Sequence, residues 1–282
     1  MKQLLLVTWK AWRNDDGTVL AASLAYFASV SIAPLLVLIV ALVGLFFGRQ
    51  AAQDQVISQV RSVVGEQGSQ FFVTVLDNAS QPTLASAAGI LSFLLLLWAS
   101  TNVFTQLHNS LNRIWLVDRA PGGVRSTVRG RLLAFAMVLG AAFLLFVSMV
   151  LSTTLATLAS LGALLLPGSE WIWQYGNYLA MFVVSMLLFA VIFKVLPDAH
   201  IAWRDVLLGA AVTALLFVVG NFVLSLYLAH AGSAYGAVGS LAVFLLWVFY
   251  SAQIFFFGAE FAKVYSQRYG SGVRPHAANS RP

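Results

Sequence analysis

Long runs of apolar residues, separated by shorter polar segments, dominate the pattern along this chain of 282 residues. A helix that spans a bilayer needs about 20 predominantly apolar residues, and six runs meet that requirement. The pattern therefore predicts an all-α, polytopic membrane protein with six transmembrane helices. The runs lie at about 19–47, 84–107, 132–156, 174–195, 206–229 and 236–262.

The first run is longer than a bilayer requires. Its roughly 29 residues would form a helix about 43 Å long at 1.5 Å per residue, whereas the hydrocarbon core is about 30 Å thick. The helix must therefore tilt, bend or protrude. Because proline removes a backbone donor from a helix, Pro34 is the predicted kink.

Two segments outside these runs have apolar residues at helical spacing. Residues 1–18 combine leucine and tryptophan with lysine and arginine, which predicts a cytoplasmic interfacial helix. The first outer loop, 49–83, predicts a helix that lies on the outer membrane surface or caps the bundle. The tail, 266–282, is polar and is predicted to be disordered, which leaves 19–265 as one six-helix transmembrane domain. The apolar positions of the outer loop are Val56, Ile57, Val60, Val63 and Val64.

Composition agrees with a membrane location. Apolar residues make up 60% of the chain and charged residues only 9%, whereas a soluble domain has about a quarter charged residues. So few charges are too few to cover the surface of a water-soluble fold of this size. The chain has no cysteine, which excludes disulfides, thiolate metal sites and cysteine nucleophiles.

The basic residues alternate with the apolar runs. A net charge of +6 could indicate a nucleic-acid partner. Fourteen of the 16 lysines and arginines, however, fall in the N-terminal segment, the loops after the second and fourth runs, and the tail, and only Arg49 and Arg61 lie on the other side. The positive-inside rule therefore predicts cytoplasmic N- and C-termini and no nucleic-acid partner. The loop after the second run contains candidate contacts for anionic lipid headgroups, which are Arg119, Arg125, Arg129 and Arg131.

The end of the second run carries a polar stripe. Asn102, Gln106, Asn109 and Arg113 are spaced at i, i+4, i+7 and i+11, so they share one face of a helix. Polar groups at membrane depth are costly unless they are paired, and they often mark pathways. The stripe is therefore a candidate polar pathway. The alternative is that the transmembrane helix ends near Asn102 and the stripe is a solvated extension.

The last run contains two polar residues two turns apart, Gln253 and Glu260. Glu260 precedes Lys263 by one turn, so the two side chains can form an ion pair. Gln253 and Glu260 are candidates for either a structural role or, in a transporter, a coupling role.

No arrangement of catalytic residues is present in the sequence, which lacks the His-Glu-x-x-His, Gly-x-Ser-x-Gly and Walker motifs. The sequence therefore predicts no enzymatic activity, no metal site and no cofactor. Asp198, His200 and Asp205 flank one short loop and could bind a metal, but a capped loop explains them better. Asp15 and Asp16 are candidate caps for the first transmembrane helix, where acidic groups favour the positive end of the helix dipole.

Three segments resemble a known family. They are LAASLAYFASVSIAP at 20–34, NSLNRIW at 109–115, and a C-terminal third that contains Leu196-Pro197, Trp203–Val206, Tyr235-Gly236 and Gly258–Glu260. In this order, over nearly the whole chain, they resemble the YihY/BrkB family of bacterial inner-membrane proteins. The resemblance implies a six-helix inner-membrane protein linked to envelope integrity. Some members of the family are associated with serum resistance, and one with lipid export as a proposed transporter.

The same family has carried the label of a tRNA-processing ribonuclease. Metal-dependent nucleases need clusters of carboxylates or histidines to hold their ions, and the sequence offers none. We therefore expect a protein that supports envelope integrity as a transporter of a lipid or another anionic solute, with the lipid bilayer as its partner. The alternatives are a non-transporting envelope scaffold or interaction protein and, more remotely, a membrane enzyme.

Overall fold

A computed structural model describes residues 2–78, 95, 98–117, 132, 136, 140, 143, 154, 170–231, 239–270, 272 and 274–275. In these residues the chain is helical apart from turns and one short strand pairing, so the all-α prediction is confirmed for them. The helices are α1 (Lys2–Asn14), α2 (Gly17–Phe47), α3 (Arg49–Asn78), α4 (Asn102–Ile114), α5 (Glu170–Val195), α6 (Trp203–Ala231) and α7 (Gly239–Tyr269).

Three helices in the described part of the chain are long and apolar enough to cross a membrane. They are Gly17–Phe47, Trp203–Gly220 and Leu241–Tyr269, and Phe182–Val195 in α5 is a shorter apolar helix. These helices correspond to the first, fifth, sixth and fourth predicted runs. The second and third runs, 84–107 and 132–156, lie largely outside the described residues, so the count of six transmembrane helices stays a prediction.

Side-chain contacts bring several helix ends together. Arg113 near the end of α4 pairs with Asp16 before α2, and Ser266 near the end of α7 bonds to Asp205 in the first turn of α6. We call this end of the bundle the polar end. Arg49 follows the opposite end of α2, which is 31 residues long and therefore extends about 46 Å. Arg113 and Arg49 thus lie at opposite ends of α2, as the charge pattern predicts.

The N-terminal helix α1 is amphipathic and packs against α7. Leu4, Thr8 and Trp12 recur every four residues and are buried, and Leu4 lies in an apolar cluster with Phe261 and Val264 of α7. The predicted interfacial helix therefore has one face on the bundle. Its other face exposes large apolar side chains, which are Leu5, Leu6 and Trp9.

The outer-loop segment α3 is a helical hairpin. Nε2 of Gln53 donates a hydrogen bond to Oδ1 of Asp77 at 3.1 Å, across 24 positions. In a straight helix those positions would be about 36 Å apart, so the chain must reverse between them. The two halves of the hairpin, before and after the reversal, both pack against α2 and α7 in one apolar cluster, as the predicted cap on the bundle would. The members are Leu36, Ile39, Val40, Val43, Ala52, Val56, Phe72, Leu76 and Phe244.

Glycines allow α6 and α7 to pack closely. A Cβ atom at Gly209 would lie 2.4 Å from Cβ of Ala262, and one at Gly258 would lie 1.8 Å from Oγ1 of Thr213. Gly209 therefore faces Ala262, and Thr213 faces Gly258, which is the register of two antiparallel helices. Small residues at such a crossing let the two backbones approach closely. In lipid, where no hydrophobic force drives helices together, this close packing favours their association.

The C-terminal segment differs from the prediction. Helix α7 continues to Tyr269, into the tail that the sequence predicts to be disordered from residue 266. Farther along, β2 (Arg274–Pro275) pairs antiparallel with β1 (Ala199–His200). This short pairing satisfies backbone groups of the loop between α5 and α6, which a polar composition does not reveal.

Candidate functional site

A tight corner joins α1 to α2 at the polar end. Asp16 adopts the left-handed conformation, with φ 56° and ψ 44°, which costs a non-glycine residue about 1–2 kcal/mol. Trp12 packs over the start of α2, where a Cβ at Gly17 would lie 2.2 Å from the indole Nε1. The predicted cap is not formed by hydrogen bonding, because the Asp16 side chain makes no bond to the helix. Both aspartates of the corner, Asp15 and Asp16, contact other helices instead.

The first aspartate of the corner contacts α7. Oδ2 of Asp15 lies 2.7 Å from Nζ of Lys263, and Oε2 of Glu260 lies 2.9 Å from the same nitrogen. The ion pair that the sequence predicts between Glu260 and Lys263 is present, and Asp15 is a third member. Burial raises the pKa of Asp15, but its interactions with Glu260 and Lys263 outweigh burial and hold that pKa below the usual range.

The polar stripe of α4 contacts α2. The stripe lies on α4, which begins at Asn102. Nε2 of Gln106 donates a hydrogen bond to Oγ of Ser23 at 2.8 Å and a longer one to Oγ of Ser110 at 3.4 Å. The amide of Gln106 thus bonds to the long apolar helix α2, and the choice between a polar pathway and a solvated extension stays a prediction.

The end of the stripe meets the corner. Nη2 of Arg113 donates to Oδ2 of Asp16 at 2.7 Å, and both side chains are about half exposed, at 50% and 57%. The remaining two members of the stripe, Asn102 and Asn109, are partly buried on α4. The structure thus places two of the four predicted pathway residues, Gln106 and Arg113, in direct contact with the N-terminal part of α2 or the corner before it.

A second network joins α4 to the loop after α5. Nδ2 of Asn112 donates to Oδ2 of Asp198 at 3.1 Å, while its Oδ1 accepts from the backbone N–H of Asp198 at 2.8 Å. Nε2 of His108 lies 3.1 Å from the same Oδ2. Sequence reasoning missed this network because its members are 86 and 90 positions apart. The available signal was the position of Asn112, which directly follows the apolar residue Leu111.

The two aspartates considered as metal ligands bond to different helices. Asp198 bonds to α4, Asp205 accepts a hydrogen bond of 2.8 Å from Oγ of Ser266, and the backbone of His200 pairs with Arg274. Across the part of the chain that the structure describes, no group of three His, Asp or Glu side chains is placed to hold a metal ion.

The other residues singled out from the sequence have these positions. Gln253 is partly buried in α7, two turns before Glu260. Pro34 lies inside α2, which is helical on both sides of it. Their proposed roles stay predictions. The candidate headgroup contacts lie outside the described residues, and they are Arg119, Arg125, Arg129 and Arg131.

Known membrane proteins resemble this chain over most of its length. The family model named virulence factor BrkB matches residues 8–281. A UPF0761 membrane protein of Psychromonas ingrahamii is 24% identical over 266 residues, which cover 92% of this chain and 86% of that protein. Another, of Tolumonas auensis, is 28% identical over 273 residues, with 90% and 82% covered. No solved structure matches. The chain is therefore a membrane protein that belongs to the BrkB family.

Proposed function

We propose that this protein moves a lipid or another anionic solute across the bilayer and so supports the integrity of the cell envelope. The observation that carries the proposal is the attachment of α4. This helix has 13 residues and is held to α2 and its corner by two polar contacts, Gln106 to Ser23 and Arg113 to Asp16. The proposal includes no catalytic step, metal or cofactor.

The chemistry of Arg113 suits an anionic substrate. Its guanidinium binds a carboxylate in this structure, and the same planar donor arrangement binds phosphate. Because the pair with Asp16 is half exposed, a headgroup can reach it and replace the carboxylate. Separation of α4 from α2 would then free the amide of Gln106. The basic loop at 118–131, which follows α4, supports the proposal because clustered arginines attract anionic headgroups.

A reversible crosslink between α4 and α2 tests the proposal. The chain has no cysteine, so Ser23→Cys with Gln106→Cys can be joined by a short, reducible bifunctional thiol reagent without side reactions elsewhere. We expect proteoliposomes to move fluorescent phosphatidylglycerol faster than protein-free vesicles, to lose this activity after crosslinking, and to regain it on reduction. Each single cysteine variant, treated in the same way, is the control. No flux by the folded wild type, or unchanged flux after crosslinking, would overturn the proposal.

Charge recognition is tested by a matched pair of arginine variants. Arg113→Gln should lower the rate for phosphatidylglycerol more than the rate for phosphatidylcholine, because it removes the charge that selects anions. Arg61→Gln is the control, since Arg61 is also about half exposed, at 52%, and also forms an ion pair, with Glu66. Equal losses in the two variants would show that general surface charge, and not Arg113, determines the rate.

A non-transporting envelope scaffold is the second candidate. The observation in its favour is that Gln106, Asn112 and Arg113 have protein partners for their polar groups, so they need no ligand. The crosslink separates the two functions. A scaffold would tolerate a fixed α4, and envelope defects of a deletion strain would be complemented by the crosslinkable variant with and without the reagent.

For the cellular location, the proposal is the bacterial inner membrane with both termini in the cytoplasm. The support is the grouping of basic residues at the polar end, opposite α3. Single cysteines provide the test in the cysteine-free chain. Asp54→Cys in α3 should react with an impermeant thiol reagent in intact spheroplasts, whereas Lys10→Cys in α1 should react only after permeabilisation. The reverse result would invert the topology.

A further inference from the structure

The buried cluster at the polar end has one negative charge more than its contacts balance. The carboxyl groups of Asp15 and Glu260 both lie against the single ammonium group of Lys263, at 2.7 and 2.9 Å. The other cation that acts on Asp15, Arg113, is paired with Asp16. Two carboxylates therefore share one positive charge in a place where uncompensated charge is costly.

The charged and titratable groups of the helices packed around α7 do not supply the missing charge. Asp205 of α6 is held by Ser266, and His108 of α4 lies at Asp198. Helix α2 has no charged residue between positions 17 and 47. Lys10 and Arg13 of α1 and Arg204 of α6 are exposed, whereas Glu260 is buried.

Burial within the cluster is graded. The side chain of Asp15 is 23% exposed, whereas those of Lys263 and Glu260 are 7% and 1% exposed. Among the described residues, neither Oε1 nor Oε2 of Glu260 has a hydrogen-bond partner in good geometry, although Nζ of Lys263 is close. A buried carboxylate without hydrogen bonds is unfavourable, whereas a carboxylic acid is neutral and has a donor of its own. The cluster thus has a wet end at Asp15 and a dry end at Glu260.

We infer that Asp15, Glu260 and Lys263 form a proton-binding site, in which Glu260 holds one proton at neutral pH and Asp15 exchanges it with water. A proton fits better than a metal ion, because the ammonium group of Lys263 occupies the position between the two carboxyls and would repel another cation. The site does not depend on the proposed transport, and it would exist equally in a scaffold.

Infrared difference spectroscopy of the full chain in nanodiscs tests the inference. We expect the carbonyl band of one protonated carboxylic acid at neutral pH, its loss in Glu260→Gln, and its retention in Glu66→Gln. Glu66 is a suitable control because its side chain is 64% exposed and it lies in α3. A spectrum without such a band at neutral pH, or a band unaffected by Glu260→Gln, would overturn the inference.

A second variant covers the case in which Glu260→Gln does not fold. In Asp15→Asn the band should be lost or strongly weakened, because Glu260 then has the ammonium group of Lys263 to itself and no excess negative charge remains. An unchanged band would show that the charge shared with Asp15 is not what keeps Glu260 protonated. Replacement of sodium by choline should leave the band unchanged, and a band that grows when sodium is removed would assign the site to a metal cation.

Discussion

The crossing of α6 and α7 allows a quantitative test of the packing. In Gly209→Ala, the new methyl group would lie 2.4 Å from Cβ of Ala262 and 3.1 Å from its Cα, whereas ordinary contacts begin at 3.4 Å. The helices must therefore separate by about 1 Å. Overpacking of this kind costs about 1–3 kcal/mol, while the better helix propensity of alanine returns up to about 1 kcal/mol.

A control variant removes the propensity term. A Cβ atom at Gly140, which is also helical, would meet nothing within 4 Å, so Gly140→Ala should be neutral or slightly stabilising. The difference between Gly209→Ala and this control should be about 1–3 kcal/mol in unfolding by sodium dodecyl sulfate, followed by tryptophan fluorescence in mixed micelles.

The double variant is the sharper measurement. Gly258→Ala places a methyl group against Thr213, one turn along the same crossing. Separation of the helices by the first methyl group makes room for the second, so the double variant should lose less stability than the sum of the single losses. Equal stability of Gly209→Ala and Gly140→Ala would refute the close crossing. Strict additivity of the two buried variants would refute their action through one shared separation.

Three further predictions concern the polar end. Asp15→Asn should flatten the acid side of the curve of thermal unfolding midpoint against pH. The pKa of folded Asp15 is below its usual value of 3.8, so the wild type loses stability as the pH falls from this value towards the lower pKa of the folded state. Parallel curves for the wild type and the variant would contradict this. Asn112→Leu should lower the free energy of unfolding by about 1–3 kcal/mol, since it leaves the backbone N–H of Asp198 without its acceptor; a loss within error of zero in the detergent unfolding assay would argue against the network. Arg113→Ala should cost about 1 kcal/mol or less in the same assay, because its ion pair is half exposed, and a loss above 2 kcal/mol would indicate a buried role.

Local patterns predict the helices of this protein well. Helix α2 begins at Gly17 and ends at Phe47, close to the apolar run at 19–47, because the change in side-chain polarity along the chain is itself what places a helix in lipid. The ion pair of Glu260 with Lys263 could also be predicted, since a spacing of three residues within one helix fixes the two side chains on one face.

Contacts between distant segments could not be predicted from such patterns. The partner of Lys263 across 248 positions, Asp15, is one of two adjacent aspartates, and their spacing suggests helix capping just as well. The turn of Asp16 decides which helix each carboxylate meets, and a left-handed aspartate has no distinct signal in a single sequence. The reversal within α3 was missed for a related reason, since valines at helical spacing fit one straight helix and two short arms equally.

The corner between α1 and α2 has a mechanical consequence. Its two adjacent residues form ion pairs with different helices, Asp15 with α7 and Asp16 with α4. The close packing of Trp12 on Gly17 leaves the corner little room to change its conformation. Any rocking of α4 relative to α7 must therefore break one of these links or drag the corner along. In the second case α1 moves with the corner, and its displacement on the membrane surface would follow movements that begin inside the bundle.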